Sequence, residues 1–247
     1  MRIISVVPSQ TELLYYLGAD PIAQTIFCIH PENRFKKSVK IGGTKKLNLA
    51  KIRTLQPDLI IANKEENERS QIEALQSEFK VWVSDIHDFE DALDMLIEVG
   101  RLTNTAEKAL SLSNQIRKEF HELSSSPPII KKPKVLYLIW KNPYMAVARD
   151  TFINSMLDHA GFENALPADW VRYPEIDLEQ MRELDPDYVF LSSEPFPFKQ
   201  LHAEEISAQI PGCKVFKVDG EMFSWYGNRM LLAADYFRKL KEEIGMI

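Results

Sequence analysis

Short apolar runs alternate with amphipathic segments along the chain, as strands alternate with helices in α/β proteins. The first run, RIISVV at 2–7, is rich in β-branched residues and predicts a strand buried on both faces. It meets Pro8, and the sequence SQTE at 9–12 fits a capping box that opens a helix over 11–17. Gly18 then closes this helix, so the chain opens with a β–α unit.

The same alternation continues through the first hundred residues. Apolar runs at 22–27, 59–62 and 81–84 predict strands, and helical segments separate most of them. Two consecutive helices are expected next, over 89–100 and 105–123. This part of the chain therefore predicts an α/β lobe with a mainly parallel sheet.

A break follows at 124–133, where the sequence reads SSSPPIIKKP. Beyond it, KVLYLIW at 134–140 predicts a strand with which the alternation starts again. Later elements are expected as helices at 151–160, 178–184 and 229–244, and as strands at 188–192 and 215–218. We predict an N-terminal lobe over 1–100, an interlobe helix over 101–126 and a C-terminal lobe over 127–247.

One phrase occurs once in each predicted lobe. LAKIRTLQPDLIIA at 49–62 matches LEQMRELDPDYVFL at 178–191, and Pro57 corresponds to Pro186 at an offset of 129 residues (186 minus 57). In both copies a short amphipathic helix ends before a Pro that cannot continue it, and an apolar strand follows at once. We therefore expect a duplicated, bilobal α/β protein, with its ligand in the crevice where strand ends from both lobes meet.

Composition and charge narrow the function further. The chain has 45% hydrophobic and 27% charged residues and a net charge of −6, which is typical of a globular protein that does not bind nucleic acid. No apolar run reaches about 18 residues, so no membrane span is expected. The N-terminus lacks the pattern of a signal peptide, which predicts a cytoplasmic chain or the processed form of an exported one. We expect a monomer.

Catalytic motifs are absent from the sequence. It has no H-E-x-x-H, G-x-S-x-G, Walker or G-x-G-x-x-G pattern, so neither an enzyme nor a catalytic cofactor is expected. Cys28 and His30 are good ligands for soft divalent ions and would need further partners such as His87 or Glu66. A structural loop with a half-buried His is the more common reason for such a pair.

Loops that follow predicted strands are rich in aromatic side chains, with a few cations among them. They are Trp140, Tyr144, Phe196, Phe198, Phe223, Trp225 and Tyr226, with Lys64, Arg149 and Arg229. Any one of these aromatics can simply pack a core or an interface. Together they suit a large, partly flat ligand with polar appendages, because a small ion needs little aromatic surface.

Several segments resemble the helical-backbone (class III) substrate-binding proteins of ABC transporters, which bind cobalamin and ferric siderophores. The segments, in the family's order, are RIISVVPSQTELLYYLGA, IGGTKKLNLAKIRTLQPDLIIA, NKEENERSQIEAL, ARDTFINSMLDHAGFENA, IDLEQMRELDPDYVFLSS and WYGNRMLLAADYF. The resemblance implies two Rossmann-like lobes, a rigid interlobe helix, little hinge closure and one ligand in the cleft.

The resemblance also implies roles for individual residues. Trp225, Tyr226 and Arg229 match a cleft-lining segment and lead the predicted ligand contacts, which also include Phe223, Trp140, Tyr144, Lys64 and Phe196. The aromatics with which cobalamin binders contact their ligand are missing at 43–46 and 63–64. Docking to an ABC permease is expected through Glu179, whereas Ala50 stands where the first lobe would carry its carboxylate.

Three functions remain open on the sequence alone. The first is a binding protein for a metal chelate, meaning a ferric siderophore, haem or a corrinoid such as cobalamin. The second is a transition-metal-ion binder that uses Cys28, His30 and His87. The third is an enzyme of the cleft, such as a chelatase or a hydrolase, whose site would assemble without leaving a sequence motif.

Overall fold

The computed structural model describes residues 1–124 and 131–246, which form two compact units. Unit 1 comprises Met1–Ile86, Glu90–Ile116 and Trp225–Met230, and unit 2 comprises His87–Phe89, Arg117–Ser224 and Leu231–Ile247. The predicted break at 124–133 and the predicted boundary at 126/127 fall largely on residues outside the described ranges, so the domain bounds stay a prediction. None of the helices in these ranges is both long and apolar enough to cross a bilayer.

The first part of the chain forms a five-stranded sheet with helices between its strands. In chain order the elements are β1 (Ile3–Ser5), α1 (Pro8–Leu17), β2 (Ala23–Gln24), α2 (Glu32–Phe35), β3 (Val39–Lys40), α3 (Leu49–Leu55), β4 (Leu59–Asn63), α4 (Arg69–Gln76), β5 (Val81–Ser84), α5 (Phe89–Leu102) and α6 (Ala106–Ser124). The strand order is β3-β2-β1-β4-β5, and every pairing in it is parallel. The expected parallel sheet and the two consecutive helices are confirmed.

The inner strands of this sheet are buried along their whole length. All residues of β1 and β4 are buried, and Ile4 pairs in register with both Ala23 and Ile60. Helices α3 and α4 cover the sheet with Ile52, Ile72 and Leu75. Continuous β-branched runs therefore mark internal parallel strands here, as the pattern predicted.

The second part of the chain builds a six-stranded mixed sheet. Its elements are β6 (Lys134–Trp140), β7 (Tyr144–Ala146), α7 (Phe152–His159), β8 (Glu163–Asn164), β9 (Glu175–Ile176), α8 (Leu178–Glu183), β10 (Tyr188–Ser192), α9 (Gln200–Gln209), β11 (Lys214–Val218), α10 (Glu221–Ser224) and α11 (Met230–Glu243). The order is β11-β10-β6-β7-β9, with β8 also paired to β6. The pairings β6–β10, β10–β11 and β6–β8 are parallel, whereas β7 runs antiparallel to its neighbours.

The repeated phrase has the same structure in both units. Each copy is a short helix, a Pro and a strand, with β4 beside β1 in one unit and β10 beside β6 in the other. The residue two before each Asp of the phrase, Gln56 or Asp185, has a left-handed backbone with φ of 45° or 46°. Asp58 Oδ2 accepts the backbone N–H of Arg2 at 2.6 Å, and Asp187 Oδ2 accepts that of Lys134 at 2.7 Å.

These matched hydrogen bonds give the Asp of the phrase a physical role. The carboxylate holds the start of β1 beside β4 in unit 1, and the start of β6 beside β10 in unit 2. A charged acceptor makes such a bond stronger than a neutral one. The duplication therefore repeats a strand-pairing device as well as a hydrophobic pattern.

Candidate ligand-binding site

The loop after β4 in unit 1 is held by buried amide side chains. Asn63 Oδ1 accepts the backbone N–H groups of Glu65 and Glu66 at 2.8 and 3.0 Å. Asn67 lies under the loop and donates to the backbone carbonyls of Val6 and Thr44. Because these side chains satisfy the loop backbone, the C-terminal edge of the first sheet is a pre-formed surface.

Lys64, a predicted ligand contact, lies at the start of this loop. Its Nζ is 2.5 Å from Asp85 Oδ2, and the side chain is largely exposed. The ammonium thus already has a carboxylate partner, although exposed pairs of this kind exchange readily because water screens them. Its contact with a ligand stays a prediction.

The loop after β2 presents apolar side chains to solvent. Cys28 is buried, its thiol lies 3.1 Å from both the Thr11 and Thr25 hydroxyl oxygens, and its carbonyl accepts from Gln24 Nε2 at 2.5 Å. On either side of this anchor, Phe27 is 54% exposed and Ile29 is 41% exposed. The expected strand at 22–27 is therefore shorter than predicted, and its last residues belong to this exposed loop.

Phe27 rests on a glycine of the neighbouring loop. A Cβ built on Gly43 would lie 3.0 Å from Cε2 of the Phe27 ring, closer than ordinary packing allows. A side chain at this position would therefore require the Phe27 ring to move by a few tenths of an ångström. Gly43 lies between β3 and α3, within the segment 43–46 of the sequence.

A segment from the far end of the chain packs on unit 1. Trp225, Tyr226 and Arg229 are all buried there, and the Trp225 ring centroid lies 5.3 Å from the ring of His30. The Arg229 guanidinium lies 5.0 Å from the Trp225 ring centroid and forms two hydrogen bonds with Glu12, of 2.9 and 2.8 Å. The unit thus gathers Phe27, Ile29, His30 and Trp225 in the loops after its strands and in this segment.

A metal-ion site built on Cys28 receives no support from this geometry. Burial raises the pKa of the Cys28 thiol, which favours the neutral form, whereas metals bind the thiolate. In the described part of the chain, no three His, Cys, Asp or Glu side chains come together in a group that could hold a metal ion. His87 instead contacts Asp150 at 3.0 Å and Arg172 at 3.0 Å within unit 2.

Unit 2 carries an aromatic cluster at the ends of β6 and β10. Trp140 is 39% exposed, and its ring lies 5.7 Å from that of Phe196, which in turn packs on Phe198 at 4.8 Å. Tyr144 follows on β7, with Lys141 Nζ 5.9 Å from its ring centroid. Of the predicted contacts, Trp140, Tyr144 and Phe196 are thus brought together on one edge of this unit.

Phe223, also predicted as a ligand contact, lies in the core of unit 2. Its side chain is fully buried in unit 2, and its ring packs on those of Tyr137 at 5.2 Å and Phe237 at 4.7 Å. The residue looked like a strand-end aromatic because α10, which carries it, comes directly after β11.

Phe27, Ile29 and Glu12 were not predicted as parts of the site. The segment 22–27, IAQTIF, is apolar at both ends and predicts a strand along all of it, which places Phe27 inside that strand. The signal that Phe27 leaves the sheet is the sequence CIHP directly after it, in which His30 precedes a Pro. Glu12 fits a capping box in the sequence, yet its carboxylate binds Arg229, 217 residues further along the chain.

Comparison with known proteins decides the family. Residues 3–213 match the family model of the periplasmic binding proteins. The chain belongs to this family. The resemblance to substrate-binding proteins of ABC transporters, drawn from sequence segments, is thereby confirmed, and the family is one of binding proteins rather than enzymes.

Relatives within the periplasmic binding protein family agree with the fold. The vitamin B12-binding protein of Vibrio vulnificus (strain CMCP6) is 29% identical over 194 residues, which cover 77% of this chain and 71% of the relative. The crystal structure of the periplasmic vitamin B12-binding protein BtuF of Vibrio cholerae has a TM-score of 0.80 at 20% identity, covering 98% of both chains. The periplasmic heme-binding protein HutB of Vibrio cholerae has a TM-score of 0.79 at 22% identity, covering 97% of this chain and 98% of that one. The predicted two-lobed α/β class is confirmed.

Proposed function

We propose that this periplasmic binding protein is a non-catalytic substrate-binding protein whose ligand is a metal chelate of the haem, corrinoid or ferric-siderophore class. The observation that carries the proposal is the anchored loop after β2. It holds Phe27 and Ile29 exposed on a buried, hydrogen-bonded Cys28, close to the half-buried His30. Relatives named for vitamin B12 and heme binding support the same ligand class.

The physical argument starts from the cost of exposing apolar side chains. Large apolar residues that are exposed within one short loop lack the stabilisation that burial gives, and a ligand that covers them supplies it. The loop does not need to become ordered on binding, because Thr11, Thr25 and Gln24 already hold it in place. A pre-formed apolar surface of this kind suits a flat ligand such as a macrocycle.

Unit 2 offers a second surface of the same character. Trp140, Tyr144 and Phe196 lie together on it, and the Lys141 ammonium beside Tyr144 is paired with Glu205. We assign these aromatics to ligand contact, together with Trp225 and Tyr226 on unit 1, and Lys64 to an anionic substituent of the ligand. Chelates of the three proposed classes carry carboxylate, amide or phosphate groups around a flat or compact centre. Aromatic side chains can cover such a centre, and a few cations can bind the groups around it.

An ABC permease is the proposed partner, contacted through unit 2. Glu179 is exposed in the first turn of α8, where a carboxylate can meet a cationic side chain of the partner. At the equivalent place in unit 1, Ala50 is exposed on α3 and offers no charge. The contact is therefore expected to be one-sided in charge, and the E179Q variant should weaken it in a pull-down with detergent-solubilised permease.

The compartment follows from the same proposal. Relatives are named periplasmic binding proteins, so an extracytoplasmic location is proposed for a protein that delivers a ligand to a permease. Fractionation of cells that express the full gene product, with a cytoplasmic enzyme as marker, tests this location. Recovery of the protein with the marker alone would contradict it.

The function itself is tested by titration of tryptophan fluorescence. Haemin, cyanocobalamin and a ferric hydroxamate siderophore are added to the purified protein, with ZnCl₂ and MnCl₂ as free-ion probes. The chain has four tryptophans to report binding, and two of them, Trp140 and Trp225, lie on the proposed surfaces. Saturable quenching by one chelate supports the proposal, and a response to the free ions alone contradicts it.

A further inference from the structure

Arg229 was predicted to contact the ligand, but its guanidinium is already engaged. Its Nε and Nη2 donate to the two carboxylate oxygens of Glu12 at 2.9 and 2.8 Å. The side chains are 8% and 13% exposed for Arg229 and Glu12. A bidentate pair of this geometry uses the fork of the guanidinium, which is the part that would otherwise recognise a ligand carboxylate or phosphate.

The pair joins two distant parts of the chain. Glu12 lies on α1, directly after the first strand, and Arg229 belongs to Trp225–Met230, the segment from the far end of the chain that is part of unit 1. Gly227 has φ of 111°, and a Cβ there would meet Leu13 of the same helix at 3.4 Å. The segment is thus fixed on α1 by an ion pair and by close backbone packing.

Trp225 stands between this pair and the loop after β2. Its ring has the Arg229 guanidinium 5.0 Å from its centroid and the His30 ring at 5.3 Å, edge to face. A guanidinium over an indole face is attractive, and Glu12 holds the guanidinium there. Glu12 therefore contributes to the position of the ring, although no sequence motif connects the two residues.

We infer that Glu12 and Arg229 are positioning residues that hold Trp225 against His30 in the place where the ligand meets it. The expected effect on ligand affinity rests on the proposed function, whereas the expected effect on the position of the Trp225 ring does not. Arg229 then acts on Trp225 and does not contact the ligand itself. The inference also adds Glu12, which the sequence explained as a helix cap.

The test uses Trp225 as its own reporter. In a variant with Trp82, Trp140 and Trp170 replaced by Phe, the emission and acrylamide quenching report on Trp225 alone. Trp225 is 7% exposed, so the single-tryptophan protein should be poorly quenched. Adding E12Q should raise the Stern–Volmer constant at least threefold, because the neutral amide no longer holds the guanidinium.

The matched control is the exposed pair Arg53–Glu78 of the same unit. It also uses two guanidinium nitrogens, with Nε 2.8 and 3.0 Å from the two Glu78 oxygens and Nη2 2.7 Å from Oε1. It makes no contact with the Trp225 segment among the hydrogen bonds described. E78Q should leave the quenching of Trp225 unchanged. If E12Q does not fold, R229K serves instead, since it keeps the positive charge beside Glu12 and loses the fork.

The second part of the test measures binding by the fluorescence of the native tryptophans, with haemin, cyanocobalamin or the ferric hydroxamate siderophore, whichever the unaltered protein binds. E12Q should weaken Kd about tenfold, whereas E78Q should not change it. Unchanged quenching in both E12Q and R229K would overturn the inference, and so would changed quenching with an unchanged Kd. If none of the three chelates binds the unaltered protein, the proposed function fails, while the quenching still decides whether the pair positions Trp225.

Discussion

Phe27 provides the sharpest prediction about ligand binding. Its ring is 54% exposed on a loop that is anchored through Cys28 and supported by Gly43. Replacing it with Ala removes the apolar surface without touching the anchor, so the fold should be kept. We therefore expect the F27A variant to bind its chelate much more weakly while its thermal stability changes little.

The magnitude follows from the area that a ligand would cover. A phenylalanine side chain buries about 200 Å² when it is fully enclosed, so the exposed part of Phe27 amounts to about 110 Å². At about 25 cal/mol per Å², complete coverage would contribute about 2.7 kcal/mol. Since about 1.4 kcal/mol corresponds to a tenfold change, F27A should weaken Kd by between tenfold and a hundredfold, depending on how much of the ring is covered.

The assay is the fluorescence titration with the chelate that binds the unaltered protein. L110A is the matched control, because Leu110 is equally exposed, at 54%, on α6 in the same unit. L110A should bind as the unaltered protein does. An F27A variant whose Kd stays within twofold of the control would refute the reasoning that places the ligand on this loop.

Four further outcomes are expected. In G43A the new Cβ must displace the Phe27 ring, so Kd should weaken severalfold in the same titration, and unchanged affinity would count against ring placement. F223A should lower the free energy of unfolding by about 3–5 kcal/mol in urea, because the ring fills the core of unit 2; a change below about 1 kcal/mol would contradict its burial. D58A and D187A should each lower the free energy of unfolding by about 1 kcal/mol, because each removes the hydrogen bond at the start of the first strand. The substitution Thr54→Ala, at a neighbouring exposed position, should lower it by less. Burial raises the pKa of the Cys28 thiol above the ordinary 9.0, so the thiol ionises first in the unfolded chain, and the free energy of unfolding should fall as pH rises above about 9. The C28S variant should lose that part of the pH dependence. Equal slopes of unfolding free energy against pH in the two proteins would contradict this prediction.

The sequence predicted what depends on local pattern. Continuous β-branched runs identified the inner strands, and the repeated Pro-Asp phrase identified two similarly built units, because strand burial and helix termination are decided by neighbouring residues. It did not predict that Asp58 and Asp187 hold the backbone before the first strands. That hydrogen bond joins residues 56 positions apart in unit 1 and 53 apart in unit 2.

The candidate site was predicted less well, because its composition depends on distant pairing. Phe223 and Trp225 are two positions apart and look alike in sequence, yet one fills the core of unit 2 and the other packs beside His30 in unit 1. Arg229 looks available to a ligand until its partner, Glu12, is located at the other end of the chain. Phe27 is hidden within an apolar run that ends as a strand three residues earlier than the pattern suggests.

The most direct measurement is calorimetric titration of the unaltered protein with haemin, cyanocobalamin and a ferric hydroxamate siderophore, each beside ZnCl₂ and MnCl₂. The proposed function predicts that one of the three chelates saturates the protein with one ligand per chain and a Kd in the micromolar range or below. The free ions should give only the heat of dilution. Saturation by a free ion with no response to any chelate would contradict the proposal and restore the metal-ion hypothesis built on Cys28 and His30.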